Sequence, residues 1–150
     1  MIVENHEIAY RNVASKLYQF APEEIEMAFK DFDDILTSQD YHPTGDLFFS
    51  ILSDPTAEVM TAEIFLPIKE DHFANQSEED VSFRSYFFVK PLLMKRIKED
   101  FDAQSQIKYW ELMEHLERGR MNQRTPMFVE YKSSFAGDVY VEMSLGFDRK

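Results

Sequence analysis

At 150 residues, 44% hydrophobic and 15% aromatic, the chain has the apolar content of one folded domain with a core, which excludes a disordered acidic tail despite a formal net charge of −12. Its 28 Asp and Glu against 16 Lys and Arg work against binding a phosphate backbone, so nucleic acid is not an expected partner. With no Cys there is no disulfide, thiolate nucleophile or thiolate metal site. No stretch reaches the roughly 18 apolar residues of a membrane span, and the N-terminus carries charges where a signal peptide needs an apolar run; the expectation is a soluble, cytoplasmic protein with no membrane partner.

Taken in order, residues 7–20 are rich in β-branched and aromatic side chains and predict a strand. Pro22, Glu23 and Glu24 then open a helix, proline suiting the first turn and the carboxylates the positive end of the dipole. Ile25, Ala28, Phe29, Phe32, Ile35 and Leu36 follow at spacings of three and four and form one apolar stripe. After a loop at residues 42–45, LFFSILSDP predicts a strand ended by an Asp-Pro turn. In the next strand Met60, Ala62, Ile64, Leu66 and Ile68 alternate with Thr61, Glu63, Phe65 and Pro67, which places Glu63 on the face away from the aliphatic row. Residues 69–80 are polar and read as an exposed connection.

Residues 82–89 predict a strand that Pro91 interrupts, with a further strand over 92–97. A second helix follows, its expected buried stripe being Phe101, Ile107, Trp110, Met113 and Leu116, with Gly119 as the stop. The last segment, RTPMFVEYKSSFAGDVYVEMSLGF over 124–147, predicts two strands and a short turn containing Gly137. Val139, Val141, Met143, Leu145 and Phe147 share one face and Tyr140, Glu142 and Ser144 the other; in the partner strand Phe128, Glu130 and Lys132 oppose Met127, Val129 and Tyr131. Glu130 and Glu142 therefore project from one side, expected to be the open side of the ribbon. AEIFLPI (62–68) aligns with VEMSLGF (141–147), setting Glu63 over Glu142 and Leu66 over Leu145, an internal repeat. The expectation is an α+β fold: a duplicated βαββ unit with a mainly antiparallel sheet and two helices on one face, in a single domain whose halves span about 1–70 and 80–150.

The order of LFFSILSDP, AEIFLPIKED, FRSYFFVKPL, LMKRIKEDFDAQSQIKYWELMEHLERG and MFVEY across nearly the whole chain resembles the GyrI-like domain, the SOUL-type effector-binding domain of some bacterial multidrug-responsive regulators. The resemblance implies a non-catalytic module that holds a lipophilic cation in an aromatic-lined cavity against an acidic residue on an interior strand, here Glu130. Where that family often has Gly-Pro-Tyr before the second helix, this chain has Glu99, Asp100 and Phe101, and no DNA-binding helix-turn-helix precedes the domain, so a stand-alone sensor is expected. The opening MIVENHEIAYRNVASK and the length are also similar to uncharacterised Gram-positive proteins, some encoded near type VII secretion toxins. That similarity implies the alternative of an adaptor or chaperone for a partner protein.

The expected ligand-binding set is Glu130, Trp110, Phe128, Glu142 and Glu63. A desolvated carboxylate among aromatic rings attracts an organic cation by charge and by the ring quadrupoles. The plainer reading of Glu130 is a solvated carboxylate paired with Lys132 or Arg124, of Glu63 and Glu142 sheet-surface residues, and of Trp110 a core residue of its helix. Glu111 and His115 stand four apart on a helix, but a third ligand is not evident and His6, His42 and His72 read as solvated, so no metal or other cofactor is expected. No serine sits in a nucleophile elbow and no residue is assigned as catalytic.

Overall fold

The structure, a computed structural model, describes residues 1–54 and 56–150; Pro55, half of the expected Asp-Pro turn, lies outside them. Among the described residues the elements are β1 (Val3–Phe20), α1 (Ile25–Thr37), β2 (Phe48–Ile51), β3 (Met60–Pro67), β4 (Ser82–Ile97), α2 (Phe101–Arg118), β5 (Met121–Ser133) and β6 (Val139–Arg149). The class is α+β, strand, helix, strand, strand running twice, and every strand pairing described is antiparallel. The chain divides into two compact units, an inner one of Ala9–Phe88 and a terminal one of Met1–Ile8 with Val89–Lys150, so that β1 and β4 each contribute to both.

In the inner unit β3 lies between β1 and β2, with Ser15 opposite Phe65 and Ser50 opposite Glu63. A short 3-10 turn at Pro22–Glu24 leads into α1, and Glu24 reaches back to accept the Ala21 N–H at 3.3 Å. The α1 stripe is the expected one: Ala28, Phe32 and Leu36, spaced by four, are buried. Phe29 meets Phe49, and Phe32 meets Tyr18, so α1 covers the face that also bears Ala62, Ile64 and Leu66. The opposite face is aromatic. Phe48 stacks on Phe65 at 4.8 Å between centroids, and Phe87 closes on both. Residues 69–80 run exposed, pinned where Tyr41 packs on Phe73 and its hydroxyl accepts the Ala74 N–H.

In the terminal unit β6 lies between β4 and β5. Three expectations change here. Pro91 does not divide a strand: β4 continues through it for 16 residues, its Lys90–Pro91 bond cis. β5 begins at Met121 and its register with β6 shifts at an irregularity between Gln123 and Met127, where the Gly146 N–H donates to Thr125 Oγ1 at 2.7 Å. A Cβ on Gly146 would stand 2.7 Å from Thr125 Cγ2, which is why this strand position carries glycine.

The third change is the face of α2. Leu112 and Leu116 are its buried residues, while Phe101, Ile107 and Trp110 of the expected stripe are exposed, Trp110 at 60%. The inward turns carry Lys108 and Glu111, whose charges are held by Lys95 of β4 and by each other, so apolar stems face the sheet and hydropathy points to the wrong side. Gly119 follows the helix as expected, but its φ of −85° is not left-handed; Arg120, at +54°, makes the reversal. Lys95 stands opposite Met143, and Met143 opposite Val129, so the Lys95–Glu111 pair places α2 on the Val129 and Met143 face. Glu130 and Glu142 face away from it.

Candidate functional site, a buried carboxylate pair

Alternation along β5 turns Phe128, Glu130 and Lys132 to the helix-free face of the terminal unit, and the register sets Glu130 directly opposite Glu142 and Phe128 opposite Ser144. The expected common face of Glu130 and Glu142 is therefore present. Its openness is not: β6 is buried without a break from Val141 to Phe147, and Glu130 and Glu142 are 2% and 3% exposed. Period two in the sequence shows which residues share a face, whereas the burial of that face is set by tertiary structure.

Two carboxylates in direct cross-strand contact repel, and removing them from water costs several kcal/mol each unless they are paired. Three basic side chains supply the pairing. Arg96, on β4 opposite Glu142, donates Nε and Nη2 to Glu142 Oε2 at 3.1 and 2.7 Å. Lys132 Nζ lies between the two acids, 3.3 Å from Glu130 Oε2 and 3.6 Å from Glu142 Oε1. His6, near the start of β1, places Nε2 at 2.9 Å from Glu130 Oε1. Two carboxylates and two permanent cations leave the cluster neutral with His6 uncharged. The hydrogen bond to Glu142 pushes the Arg96 guanidinium above its ordinary value, and that guanidinium lies over the Tyr140 ring, 4.6 Å from its centroid.

Ser144, completely buried and two residues along from Glu142 on the same face, has no hydrogen-bond partner for its hydroxyl among the described residues. A buried hydroxyl without a partner costs about 1–3 kcal/mol, so its retention beside a charged cluster marks the position. His6, Glu130 and Glu142 also bring one ligand atom each within 4.8 Å of one another, a donor set suited to a divalent metal. Arg96 and Lys132 already balance both carboxylates, so a divalent ion would have to displace them.

Of the expected site residues, Glu130, Glu142 and Phe128 come together. Trp110 does not join them, because it points outward from a helix on the other face of the sheet. Glu63 belongs to the inner unit, where its Oε2 accepts from Ser15 at 2.7 Å and from Arg84 at 3.3 Å. The plain reading of Glu130 is right about Lys132 and wrong about solvation, and Arg124 pairs with Asp148 instead. His6, expected to be solvated, is in β1 with a side chain 13% exposed. Arg96 carried no signal in the sequence, and Ser144 none beyond its parity with Glu142. Of Glu111 and His115, four apart on α2, Glu111 pairs with Lys95 and Lys108, and His115 with Glu4. Among the described residues no helix is long and apolar enough to cross a membrane.

The fold is shared with solved structures of low sequence identity. EcmrR, solved as an EcmrR–DNA complex, is similar over 100% of this chain and 58% of its own, with a TM-score of 0.78 and 14% identity. The present chain thus spans little more than half of that relative. The separate EcmrR C-terminal domain matches over 100% of this chain and 98% of its own, with a TM-score of 0.70 and 12% identity. SAV2435, solved bound to tetraphenylphosphonium, matches over 97% of this chain and 94% of its own, with a TM-score of 0.57 and 10% identity. A hydrolase from Listeria innocua matches over 97% and 92%, with a TM-score of 0.57 and 11% identity. Identities this low establish a shared architecture and leave the chemistry to the residues. No curated protein matches by sequence. Residues 9–148 match the family described as Domain of unknown function (DUF5085), and the chain belongs to that family.

Proposed function

We propose that this chain is a non-catalytic small-molecule-binding domain that holds an organic cation against Glu130 and Glu142 on the helix-free face of its terminal unit. One observation carries the reading: two carboxylates, each at most 3% exposed and directly opposite one another, are balanced in part by a lysine that is itself 33% exposed. A single positive charge arriving from solvent can take the place of that lysine and keep the cluster neutral, whereas an anion would meet two buried negative charges. Phe128 and Tyr140 lie on the same face and supply ring surface for an aromatic body. SAV2435, of similar fold, was solved with a lipophilic cation, which supports the same ligand class here.

The test is calorimetric titration with tetraphenylphosphonium and a panel of protonated aromatic amines, on the wild type and Glu130→Gln. Trp110 emission is a poor reporter because the indole is 60% exposed on the far side of the sheet. Saturable heat with at least one ligand is expected in the wild type, weakened about tenfold or more in Glu130→Gln, the worth of one charged hydrogen bond. Absence of binding by every cation sinks the reading.

A second reading, a domain that binds a partner protein, is favoured by one feature. α2 exposes Ile107 and Trp110, three residues apart on one surface, at 47% and 60%. In that case Trp110→Glu removes association with the partner and leaves cation binding unchanged.

A further inference from the structure

The partners of the two buried acids say what kind of cation belongs there, given that the site proposed above is a cation site. Three described residues reach Glu130 or Glu142 through nitrogen: Arg96 through Nε and Nη2, Lys132 through Nζ, and His6 through a ring nitrogen. These three do not hold equally. Arg96 sits at 2.7 and 3.1 Å and is anchored on a β4 residue in register with Glu142, while Lys132 Nζ stands 3.3 and 3.6 Å from its two acids, long for charged hydrogen bonds. A lysine side chain is also flexible and readily rehydrated, and it is bond number and length that separate the two, since Arg96 is 46% and Lys132 33% exposed. The completely buried Ser144 hydroxyl, on the same face, lacks an acceptor or donor among the described residues.

We propose that Lys132 is an internal stand-in for the ligand, and that the ligand is a cation with N–H donors on an apolar body, a protonated amine, amidine or guanidine, which displaces Lys132 Nζ from between Glu130 and Glu142. A quaternary ammonium or phosphonium satisfies the charge but not the acceptors. Buried carboxylate oxygens left without donors weaken binding by roughly tenfold for each charged hydrogen bond lost. An N–H donor also gives the Ser144 hydroxyl a partner that a methylated nitrogen does not. In this account Lys132 competes with the ligand, so removing its ammonium strengthens binding, the reverse of what a residue that contributes to the site does.

The experiment uses the full chain at neutral pH and two probes of matched shape, 1-naphthylmethylamine and its N,N,N-trimethyl derivative, titrated into wild type, Lys132→Met, Lys132→Gln and Glu130→Gln, each variant first shown to melt cooperatively. The amine is expected to bind the wild type about tenfold or more tightly than the trimethyl compound. Lys132→Met and Lys132→Gln are expected to bind the amine more tightly than the wild type, and Glu130→Gln more weakly. Equal or preferred binding of the trimethyl compound, lost in Glu130→Gln, overturns the donor requirement and leaves the cation site standing. Weaker amine binding in both Lys132 variants overturns the stand-in role. Binding of neither probe by any variant overturns the cation site itself.

Discussion

The central strands of the two units, β3 and β6, are built alike and filled differently. Each lies between two antiparallel neighbours, each presents a glutamate on the face away from its helix, and the sequence repeat sets Glu63 on Glu142. Around Glu63 the neighbouring places are taken by Ser50 opposite and by Phe65 two residues along, and Phe65 is stacked with Phe48 and Phe87. Around Glu142 the same places hold Glu130 and Ser144. One unit has used the face to extend an aromatic core and left a single acid 21% exposed beside Arg84; the other has buried two acids and a hydroxyl. Polar groups at core positions reduce stability, so the terminal unit gives up stability where the inner unit gains it, as expected of a binding site.

The largest effect that sharpens this contrast is at the arginines. Arg96→Met removes the nearer of the two cations described at Glu142, leaving this buried acid the more distant Lys132, and should cost about 2–3 kcal/mol in urea unfolding. The matched change in the inner unit, Arg84→Met, should cost less than about 1 kcal/mol, because the acid it leaves behind, Glu63, is 21% exposed and keeps Ser15, and Arg84 reaches it through one nitrogen at 3.3 Å. Equal costs would break the comparison.

How much of this was legible beforehand follows the physics of each signal. The α1 stripe was readable because Ala28, Phe32 and Leu36 are apolar and evenly spaced. The α2 stripe was not, since its inward turns hold Lys108 and Glu111 while Ile107 and Trp110 face out. Parity alone placed Glu130 with Glu142, but parity carries no information about solvent, and both were expected on an open face. His6 was hidden by a charged opening, VENHE, that reads as a loose terminus and is in fact the first part of β1. The GyrI-like resemblance pointed to Glu130 and the plainer reading to Lys132 as its partner; only the register and the side-chain distances bring in Arg96 and set the buried Ser144 beside the cluster.

A smaller effect separates structural from functional polarity. Ser144→Ala removes a buried hydroxyl without a partner and should raise the stability of the free protein by about 1 kcal/mol in thermal or urea unfolding, while weakening amine binding. The matching loss of a satisfied hydroxyl in the inner unit, Ser15→Ala, should lower stability, since Ser15 donates to Glu63 at 2.7 Å.

The smallest effect is at acid pH. Hydrogen bonds from the His42 ring and backbone hold Glu70 down at about 2, against an ordinary value of 4.5. Because the folded value is depressed, its stabilising contribution is present above pH 4.5 and is lost as pH falls towards about 2. His42→Ala should return Glu70 towards its ordinary value in a carboxyl NMR titration and shift acid unfolding of the inner unit to slightly higher pH. An unchanged Glu70 titration would remove His42 as the cause.

The central claim is that the polar face of the terminal unit, and not the aromatic face of the inner one, receives the ligand. The most direct measurement is a crystal structure of the chain with 1-naphthylmethylamine. The account predicts the ammonium nitrogen about 3 Å from carboxylate oxygens of both Glu130 and Glu142, with Lys132 Nζ withdrawn to solvent. A ligand seated against Glu63, or on the outer surface of α2 with Lys132 still between its two acids, would contradict it.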